Sequence, residues 1–195
     1  MALEDMGIIR SIPNITLVEP VDGVMFADIL RQAAAMKGNF YIRLLRKMAV
    51  KIYEEGSTFE IGKAITLREG TDVTIFASGI CVADALTAAD ILAAQGVSAQ
   101  VVNIFTIKPI DVEGITAAVS KTGAAVTAEN HNIIGGLGSA VSEVLCENCP
   151  APLERIGVHD TFGEVGDVGY LKKRFQMTPD DMVRAALRAI NRKNH

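Results

Sequence analysis

From Asp72 to the end of the chain, short apolar runs alternate with longer segments of helical periodicity. Four apolar runs have the length of strands: Val73–Ala77, Ala99–Ile104, Ala124–Ala128 and Leu153–Val158. Helical spacing marks the segments between and after them: Val82–Ala94, Val112–Lys121, Leu137–Cys146 and a last helix that begins at Thr178-Pro179. Strands that are apolar throughout are typical of a parallel sheet with helices on both faces. The alternation therefore predicts an α/β fold with a parallel, doubly wound sheet joined by right-handed crossovers.

The first 46 residues predict a smaller β-α-β piece. Its expected elements are a short helix over 3–12, a strand over Ile15–Val18, a helix over 22–36 with Asp22 as its N-cap, and a strand over 40–45. A piece of this size buries too little apolar surface to be stable alone, so we expect it to dock onto the rest of the protein. Residues 47–71 are turn-rich and predict a linker that crosses a domain surface.

Composition and charge exclude several classes of function. The chain is 49% hydrophobic with a net charge of −4, and no basic run exceeds Lys172–Arg174, which argues against nucleic acid as a partner. No apolar stretch approaches the roughly 18–20 residues of a membrane span. The N-terminus Met1–Asp5 is acidic where a signal peptide would be basic. We therefore expect a protein of the cytoplasm with no membrane partner.

The three cysteines indicate a reducing compartment, because an odd number leaves any disulfide framework incomplete. Cys146 and Cys149 form a C-x-x-C, the spacing of a redox pair or half a zinc site. Neither Cys81 nor a histidine supplies a second pair at ligand spacing, so we expect no metal site. We expect Cys146 to pack as a small apolar residue on its helix.

Polar residues follow three of the predicted strands, at the sheet edge where doubly wound folds bind ligands. These are Ser78-Gly79, Thr106–Pro109 and Glu129–His131. His131 beside Glu129 has the composition of a general base with an orienting carboxylate. The alternative is a set of turn hydrogen bonds, which we favour because no nucleophile is near in sequence.

A glycine-rich segment, Gly135, Gly136 and Gly138, precedes the helix that begins near Leu137. Such a segment can cradle an anion with backbone N–H groups and the helix dipole. Six residues separate it from the preceding strand, whereas a dinucleotide-binding fingerprint turns almost at once. We therefore favour glycines that let this helix pack closely against a neighbour, which indicates an interface. The acidic, glycine-containing segment 160–166 is expected to be a solvated loop rather than a metal site.

Arg43 and Arg46 flank the end of the second strand of the N-terminal piece. A guanidinium suits a sugar phosphate because it donates two parallel hydrogen bonds and stays charged at any working pH. Ordinary surface arginines remain the alternative from spacing alone.

Several motifs, in order along nearly the whole chain, resemble the thiamine-diphosphate-dependent transketolase superfamily. Ile12–Ile15, Glu19–Asp22 and Tyr41–Arg46 are similar to the end of its pyrimidine-binding domain. The motifs similar to its C-terminal domain are Ile61–Ala64, Leu67–Val73, Ile107–Asp111, Glu129–His131 and Gly135–Val141. Thr161–Glu164 and Met177–Pro179 most resemble transketolase itself, in particular the C-terminal subunit of two-part transketolases. Deoxyxylulose-phosphate synthase and the beta subunits of 2-oxoacid dehydrogenases remain alternatives.

The resemblance implies three segments: residues 1–46 as the C-terminal remnant of the pyrimidine-binding domain, a linker over 47–71, and the C-terminal domain over 72–195. It also implies that the first part of the pyrimidine-binding domain, with its glutamate and aromatic residues, precedes Met1. Transketolases hold thiamine diphosphate and magnesium with a Gly-Asp-Gly motif that this sequence lacks. We therefore expect no cofactor bound to this chain alone and carry over no catalytic residue.

The function implied by the resemblance is transfer of a two-carbon ketol unit between sugar phosphates, a reaction of the pentose phosphate pathway, once an N-terminal transketolase section supplies the cofactor. Arg46 aligns with the arginine that binds the substrate phosphate, although Leu45 stands where the family usually has a small residue, and Arg43 is the fallback. The family further implies a homodimer through the C-terminal domain, with Gly135, Gly136, Gly138 and His131 at the interface. A noncatalytic interaction module is the alternative.

Overall fold

The computed structural model describes residues 2–46 and 49–193; Lys47 and Met48, the first two residues of the predicted linker, lie outside the described residues, as do both chain ends. The described strands are β1 Ile15–Val18, β2 Asn39–Ile42, β3 Ile65–Arg68, β4 Val73–Ala77, β5 Ala99–Asn103, β6 Thr106–Lys108, β7 Ala125–Asn132 and β8 Leu153–Val158. The helices are α1 Asp5–Arg10, α2 Gly23–Ala35, α3 Cys81–Ala94, α4 Val112–Thr122, α5 Leu137–Asn148, α6 Val168–Arg174 and α7 Pro179–Lys193. None of these helices has the length and apolar character needed to span a membrane.

The larger sheet has the strand order β3-β5-β4-β7-β8. Strands β5, β4, β7 and β8 are parallel, and β3 is antiparallel to β5 at the edge. The chain runs from β4 to β5 on one side and then crosses back to β7 on the other, which makes the sheet doubly wound as predicted. Strand β3 was not predicted and lies inside the segment assigned to a linker. It pairs on one side only, and its apolar residues Ile65 and Leu67 are half-buried against the core.

Helices cover both faces of the larger sheet. On β4, Val73 and Ile75 point to the core formed with α3 and α7, whereas Phe76 points to the core formed with α4 and α5. Both sets are fully buried, since successive strand residues face opposite sides and each side is covered. This two-sided burial explains why the strands are apolar throughout.

The smaller sheet has the order β2-β1-β6, so it combines the two strands of the N-terminal piece with a strand that follows β5 along the chain. Strand β1 is parallel to β2, as expected for a β-α-β piece, and antiparallel to β6, which was not predicted. The N-terminal piece also enters both cores, since Met6 of α1 packs with α4 and α5 and Met25 of α2 packs with α3 and α7. The piece therefore docks onto the rest of the chain, as its small size required.

Local capping fixes the helix starts. The Asp22 carboxylate accepts a hydrogen bond from the Met25 N–H at 2.9 Å, which confirms it as the N-cap of α2. Thr178 and Asp181 form a reciprocal pair at the start of α7: the Thr178 N–H donates to Asp181 at 2.9 Å, and the Asp181 N–H donates to the Thr178 hydroxyl at 3.3 Å. The predicted opening of the last helix is thus confirmed.

Candidate functional site

A cleft of about 540 Å³ lies at the carboxyl ends of the parallel strands. Gly79 and Ile80 after β4, Asn130 in β7 and Val158 in β8 form its floor. Leu45, Arg46, Ala49 and Val50 supply part of its walls, and residues between 163 and 177 supply much of the rest. Since β4 and β7 are the strands between which the winding reverses, the cleft occupies the position where such sheets bind ligands.

Arg46 lies at this cleft and is exposed. Among the residues that the structure describes, its guanidinium has no ion pair or hydrogen bond. A second cation of the wall, Lys172 of α6, is paired with Asp84 of α3 at 2.6 Å. Arg46 is therefore the arginine of the predicted pair that is available to an anion entering the cleft.

Arg43 occupies a different environment, because its side chain is buried with 8% of its surface exposed. Its Nε donates to Asp5 at 3.0 Å and its Nη1 to Glu19, while Nη2 donates to the carbonyl oxygens of Ala2 at 3.1 Å and Asn130 at 2.9 Å. Burial alone lowers the pKa of Arg43, but the Glu19 and Asp5 carboxylates outweigh it, so the pKa is raised. The guanidinium is thus committed within the chain, and the fallback for a phosphate site has its donors already in use.

Glu19 continues this buried network toward the larger sheet. Its carboxylate accepts a 2.6 Å hydrogen bond from the hydroxyl of Ser78, which follows β4. On the opposite side, Asp5 accepts a 2.9 Å hydrogen bond from the Tyr41 hydroxyl. We call Ser78, Glu19, Arg43, Asp5 and Tyr41 the Arg43 network. It lies behind the cleft and joins the end of β2 to the end of β4.

Sequence reasoning missed Glu19 and Asp5 as partners of Arg43. The sequence singles out Glu19 only as part of the Glu19–Asp22 motif. A usable signal exists in the parallel pairing, in which Val18 lies opposite Ile42. Glu19 and Arg43 each follow these paired residues directly, so opposite charges leave the same edge of the sheet side by side.

Glu129 occupies the anion position at the start of α5. Its carboxylate accepts hydrogen bonds from the N–H groups of Leu137 at 2.7 Å and Gly138 at 2.8 Å. Burial raises the pKa of Glu129 to about 8, although these two N–H groups act in the opposite direction. The helix N-terminus that could have held a dinucleotide phosphate is thus filled by the chain's own carboxyl group.

His131 is fully buried near the end of β7. Its Nε2 accepts from the Gly7 N–H at 3.3 Å, which leaves Nδ1 to carry the proton and donate to the Asn132 carbonyl at 2.6 Å. Nδ1 also lies 3.7 Å from the Glu129 carboxylate. Both ring nitrogens are engaged inside the chain, so the structure favours the hydrogen-bonding alternative over a general base.

The three glycines allow close approach within the chain. A Cβ at Gly136 would lie 1.9 Å from the Glu129 carboxylate, and a Cβ at Gly138 would lie 3.0 Å from it. Gly135 has a φ of +81°, and a Cβ there would lie 2.9 Å from Cα of Gly7 in α1. The neighbours that these glycines accommodate are therefore Glu129 and α1. Their predicted part in a subunit interface stays a prediction.

The remaining sequence candidates lie apart from the cleft floor. Cys146 is exposed, so its predicted packing as a small apolar residue was wrong, while Cys149 is half-buried and Cys81 is buried. Cys146 directly follows the buried residues Val144 and Leu145 of α5 but lies on the exposed side of the helix. Segment 160–166 is an exposed irregular loop, as predicted. Within residues 2–46 and 49–193, no three His, Cys, Asp or Glu side chains come together as a metal site would need.

Comparison with known proteins places this geometry in a family. The profile described as "Transketolase, C-terminal domain" matches residues 62–182. The chain is 53% identical over 194 residues to the 6-deoxy-6-sulfo-D-fructose transketolase subunit of Clostridium sp. (strain MSTE9). This alignment covers 100% of this chain and 60% of that protein. It is 37% identical to 1-deoxy-D-xylulose-5-phosphate synthase of Heliobacterium modesticaldum, covering 94% of this chain and 29% of that one.

Solved structures agree with this assignment. A structure titled "Split gene transketolase, inactive beta4 tetramer" superposes with a TM-score of 0.93 at 42% identity, covering 98% of this chain and 62% of that one. Transketolase from Leishmania mexicana, at 20% identity and a TM-score of 0.78, shares the fold. The alignments with the Clostridium subunit and with the split-gene transketolase include nearly all of this chain, which spans only about 60% of the length of each of those two proteins. It therefore belongs to the transketolase C-terminal domain family and corresponds to the C-terminal section of a transketolase-family protein.

Proposed function

We propose that this chain is the C-terminal section of a transketolase that transfers a two-carbon ketol unit between sugar phosphates when complemented by the cofactor-binding domains. The observation that carries the proposal is the placement of Arg46. It is exposed on the cleft at the carboxyl edge of the sheet, at the position that the resemblance aligns with a phosphate-binding arginine. The buried Arg43 leaves Arg46 as the proposed phosphate ligand.

The role of Arg46 would be to bind and orient the anionic end of the sugar. A guanidinium donates two parallel hydrogen bonds to oxyanions and keeps its charge at every working pH. A hydrogen bond to a charged group contributes about 1.5–3 kcal/mol. Loss of this side chain should therefore weaken productive binding by roughly 10- to 100-fold.

Thiamine diphosphate would supply the carbanion chemistry when bound, but the residues of this chain do not fit its metal. The described parts of the chain bring no cluster of three His, Cys, Asp or Glu side chains together, and the sequence has no Gly-Asp-Gly. We therefore assign thiamine diphosphate and magnesium to the complementing domains.

A sulfonated sugar is a second candidate substrate. The relative at 53% identity is named for 6-deoxy-6-sulfo-D-fructose, and its similarity extends over the whole of this chain. A sulfonate presents oxygens that a guanidinium binds as it binds those of a phosphate. The anion itself therefore has to be determined by assay.

The proposed partners are the N-terminal transketolase section and a second copy of this chain. Several relatives are named as transketolase subunits, which supports a separate N-terminal partner. For the homodimer we keep the loop of Gly135 as the contact, because the preceding residue Ile134 is 60% exposed. Replacing Ile134 by glutamate should shift the dimer toward monomer in light scattering. An unchanged mass would place the dimer contact elsewhere.

The decisive test is reconstitution. The chain is combined with the cofactor-binding domains, thiamine diphosphate and magnesium, and ketol transfer is measured with sugar phosphates and with 6-deoxy-6-sulfo-D-fructose. We expect transfer with one of these substrates, and a loss of at least about tenfold in kcat/KM for Arg46→Ala. Arg31→Ala is the matched control, since Arg31 is an exposed arginine of α2 paired with Asp28. A folded complex without transfer would favour the noncatalytic interaction module.

A further inference from the structure

We propose that Arg43 is a positioning residue that holds Arg46 at the cleft by anchoring the end of β2 to the larger sheet. This role rests on the anion-binding function proposed for Arg46. The buried ion pair of Arg43 and Glu19, which is not part of the proposed phosphate site, thereby has a positioning role.

The Arg43 side chain is held from several directions at once. Besides the ion pair with Glu19, its Nε lies 3.0 Å from Asp5 and its Nη2 lies 2.9 Å from the carbonyl oxygen of Asn130. Its backbone N–H donates to the carbonyl of Val18 at 2.9 Å, which extends the β1–β2 ladder by one residue. Arg43 and Glu19 are both buried, so an alternative position of the guanidinium would leave the buried Glu19 carboxylate without its ion-pair partner.

The partners belong to different sheets. Glu19 follows β1 of the smaller sheet, while Asn130 lies in β7 and Ser78 follows β4 of the larger sheet. Ser78 donates to Glu19 at 2.6 Å, so the ion pair itself is tied to the end of β4. The Arg43 network therefore fixes the end of β2 relative to the two strands that flank the ligand cleft.

Only Leu44 and Leu45 separate this anchor from Arg46. Residues 43–46 belong to no helix or strand; Leu44 is exposed and Leu45 is half-buried. Three residues span at most about 10 Å. On its N-terminal side, Arg46 is therefore anchored through Arg43. Displacement of a binding group by about 1 Å can cost two orders of magnitude in rate.

The charge balance explains why lysine should not replace Arg43. Two carboxylates, Asp5 and Glu19, face one guanidinium, and the two backbone carbonyls take further donors. A lysine keeps the positive charge but offers three donors on a single atom, whereas arginine offers five on a rigid fork. Arg43→Lys should therefore keep the charge and loosen the geometry, and Glu19→Gln should keep the size and weaken the ion pair.

The first test measures mobility at position 46 and needs no activity. A nitroxide label is attached to Arg46→Cys in a background where the accessible thiols Cys146 and Cys149 are serine. We expect the mobile fraction in the electron paramagnetic resonance spectrum to rise at least about twofold with Arg43→Lys. The matched control is Arg10→Lys, since Arg10 pairs with Glu143 and so joins the N-terminal piece to α5.

Glu19→Gln is the second variant, in case Arg43→Lys prevents folding. A rise in label mobility with either variant, and none with Arg10→Lys, supports the proposal. Unchanged mobility in a variant that keeps the circular dichroism spectrum and the melting curve of the parent would overturn it. An equal rise with Arg10→Lys would also overturn it, because general loosening would then explain the effect.

The second test uses the complemented enzyme and a double-mutant cycle. With Arg46 present, Arg43→Lys should lower kcat/KM for the anionic substrate at least about tenfold. In an Arg46→Ala background the same substitution should lower it less than about twofold, because the residue that it positions is gone. Equal losses in both backgrounds would show a merely structural role. If no ketol transfer is found at all, the proposed function fails while the label experiment still decides the positioning role.

Discussion

The substitution Glu129→Gln tests the buried carboxyl group at the start of α5. Burial raises the pKa of Glu129 from the ordinary value of 4.5 to about 8 in the folded chain. The folded state therefore binds the proton more tightly than the unfolded state between these two values. It follows that the contribution of this group to stability is fully present below pH 4.5 and is lost as the pH rises toward 8.

The size of the effect follows from linkage. One proton bound only by the folded state changes the free energy of unfolding by roughly 1.4 kcal/mol per pH unit. Between pH 5 and pH 8 the chain should lose up to about 4 kcal/mol through this group. Glutamine does not titrate, but its amide nitrogen faces one of the two N–H donors, which costs about 1–3 kcal/mol. The variant should be the less stable protein at pH 5 and should equal or exceed the parent at pH 8.

The assay is urea unfolding followed by circular dichroism at pH 5, 6, 7 and 8. Glu154→Gln is the control, because Glu154 pairs with Arg188 and Arg192 at the surface. Although partial burial opposes it, these arginines lower the pKa of Glu154, so its contribution is lost only at more acidic pH. The control should keep the slope of the parent. The same slope in parent and Glu129→Gln would refute the reasoning.

Three further substitutions test the surroundings of the site, each by urea unfolding unless stated. Gly136→Ala should lower the free energy of unfolding by at least about 2 kcal/mol, since the new Cβ would lie 1.9 Å from a buried carboxylate oxygen. Gly23→Ala, where a Cβ meets nothing within 4 Å, should leave stability unchanged or raise it by up to about 1 kcal/mol; equal losses at both sites would contradict the packing argument. Asp22→Ala should cost about 2–4 kcal/mol, because its carboxylate accepts three backbone N–H groups at 2.8–2.9 Å, and Asp22→Asn should cost clearly less. Lys172→Met should change global stability by less than about 1 kcal/mol but speed hydrogen exchange in α6, since the pair with Asp84 at 2.6 Å ties α6 to α3; unchanged exchange would show that the pair does not hold the cleft wall.

Much of the fold could be predicted from apolar periodicity, and the strands that were missed or predicted too short lack that periodicity. β1, β4 and β8 have the predicted bounds, because each is a continuous run of strand-forming residues between turn signals. β3 and β6 were not predicted, because a strand of three or four residues at a sheet edge is too short to show a clear apolar periodicity. β7 extends past the predicted end at Ala128 to Asn132. Its polar residues Glu129 and His131 can be buried in the strand because they form hydrogen bonds with residues distant in the sequence.

The candidate site shows where sequence reasoning ends. The spacing placed Arg43 and Arg46 at the right sheet edge but could not tell which side chain faces the cleft. That choice depends on Glu19 and Asp5, which reach Arg43 only after β1 pairs with β2 and α1 packs beneath them. For the glycine-rich segment, the sequence likewise favoured close packing over an anion cradle but could not identify the neighbour, because nothing local shows that Glu129 fills the helix start from eight or nine residues away.

The pairing of β6 with β1 limits where a gene for this fold can be divided. The smaller sheet takes its third strand, Thr106–Lys108, from a part of the chain that is translated after three strands of the larger sheet. A break in the polypeptide anywhere between Ile42 and Thr106 would leave β1 in the upstream fragment without its neighbour β6. The downstream fragment would contain β6 without the strand with which it pairs. Gene fission within this stretch would therefore yield two fragments that fold only together, whereas fission upstream of α1 would keep both sheets in one polypeptide.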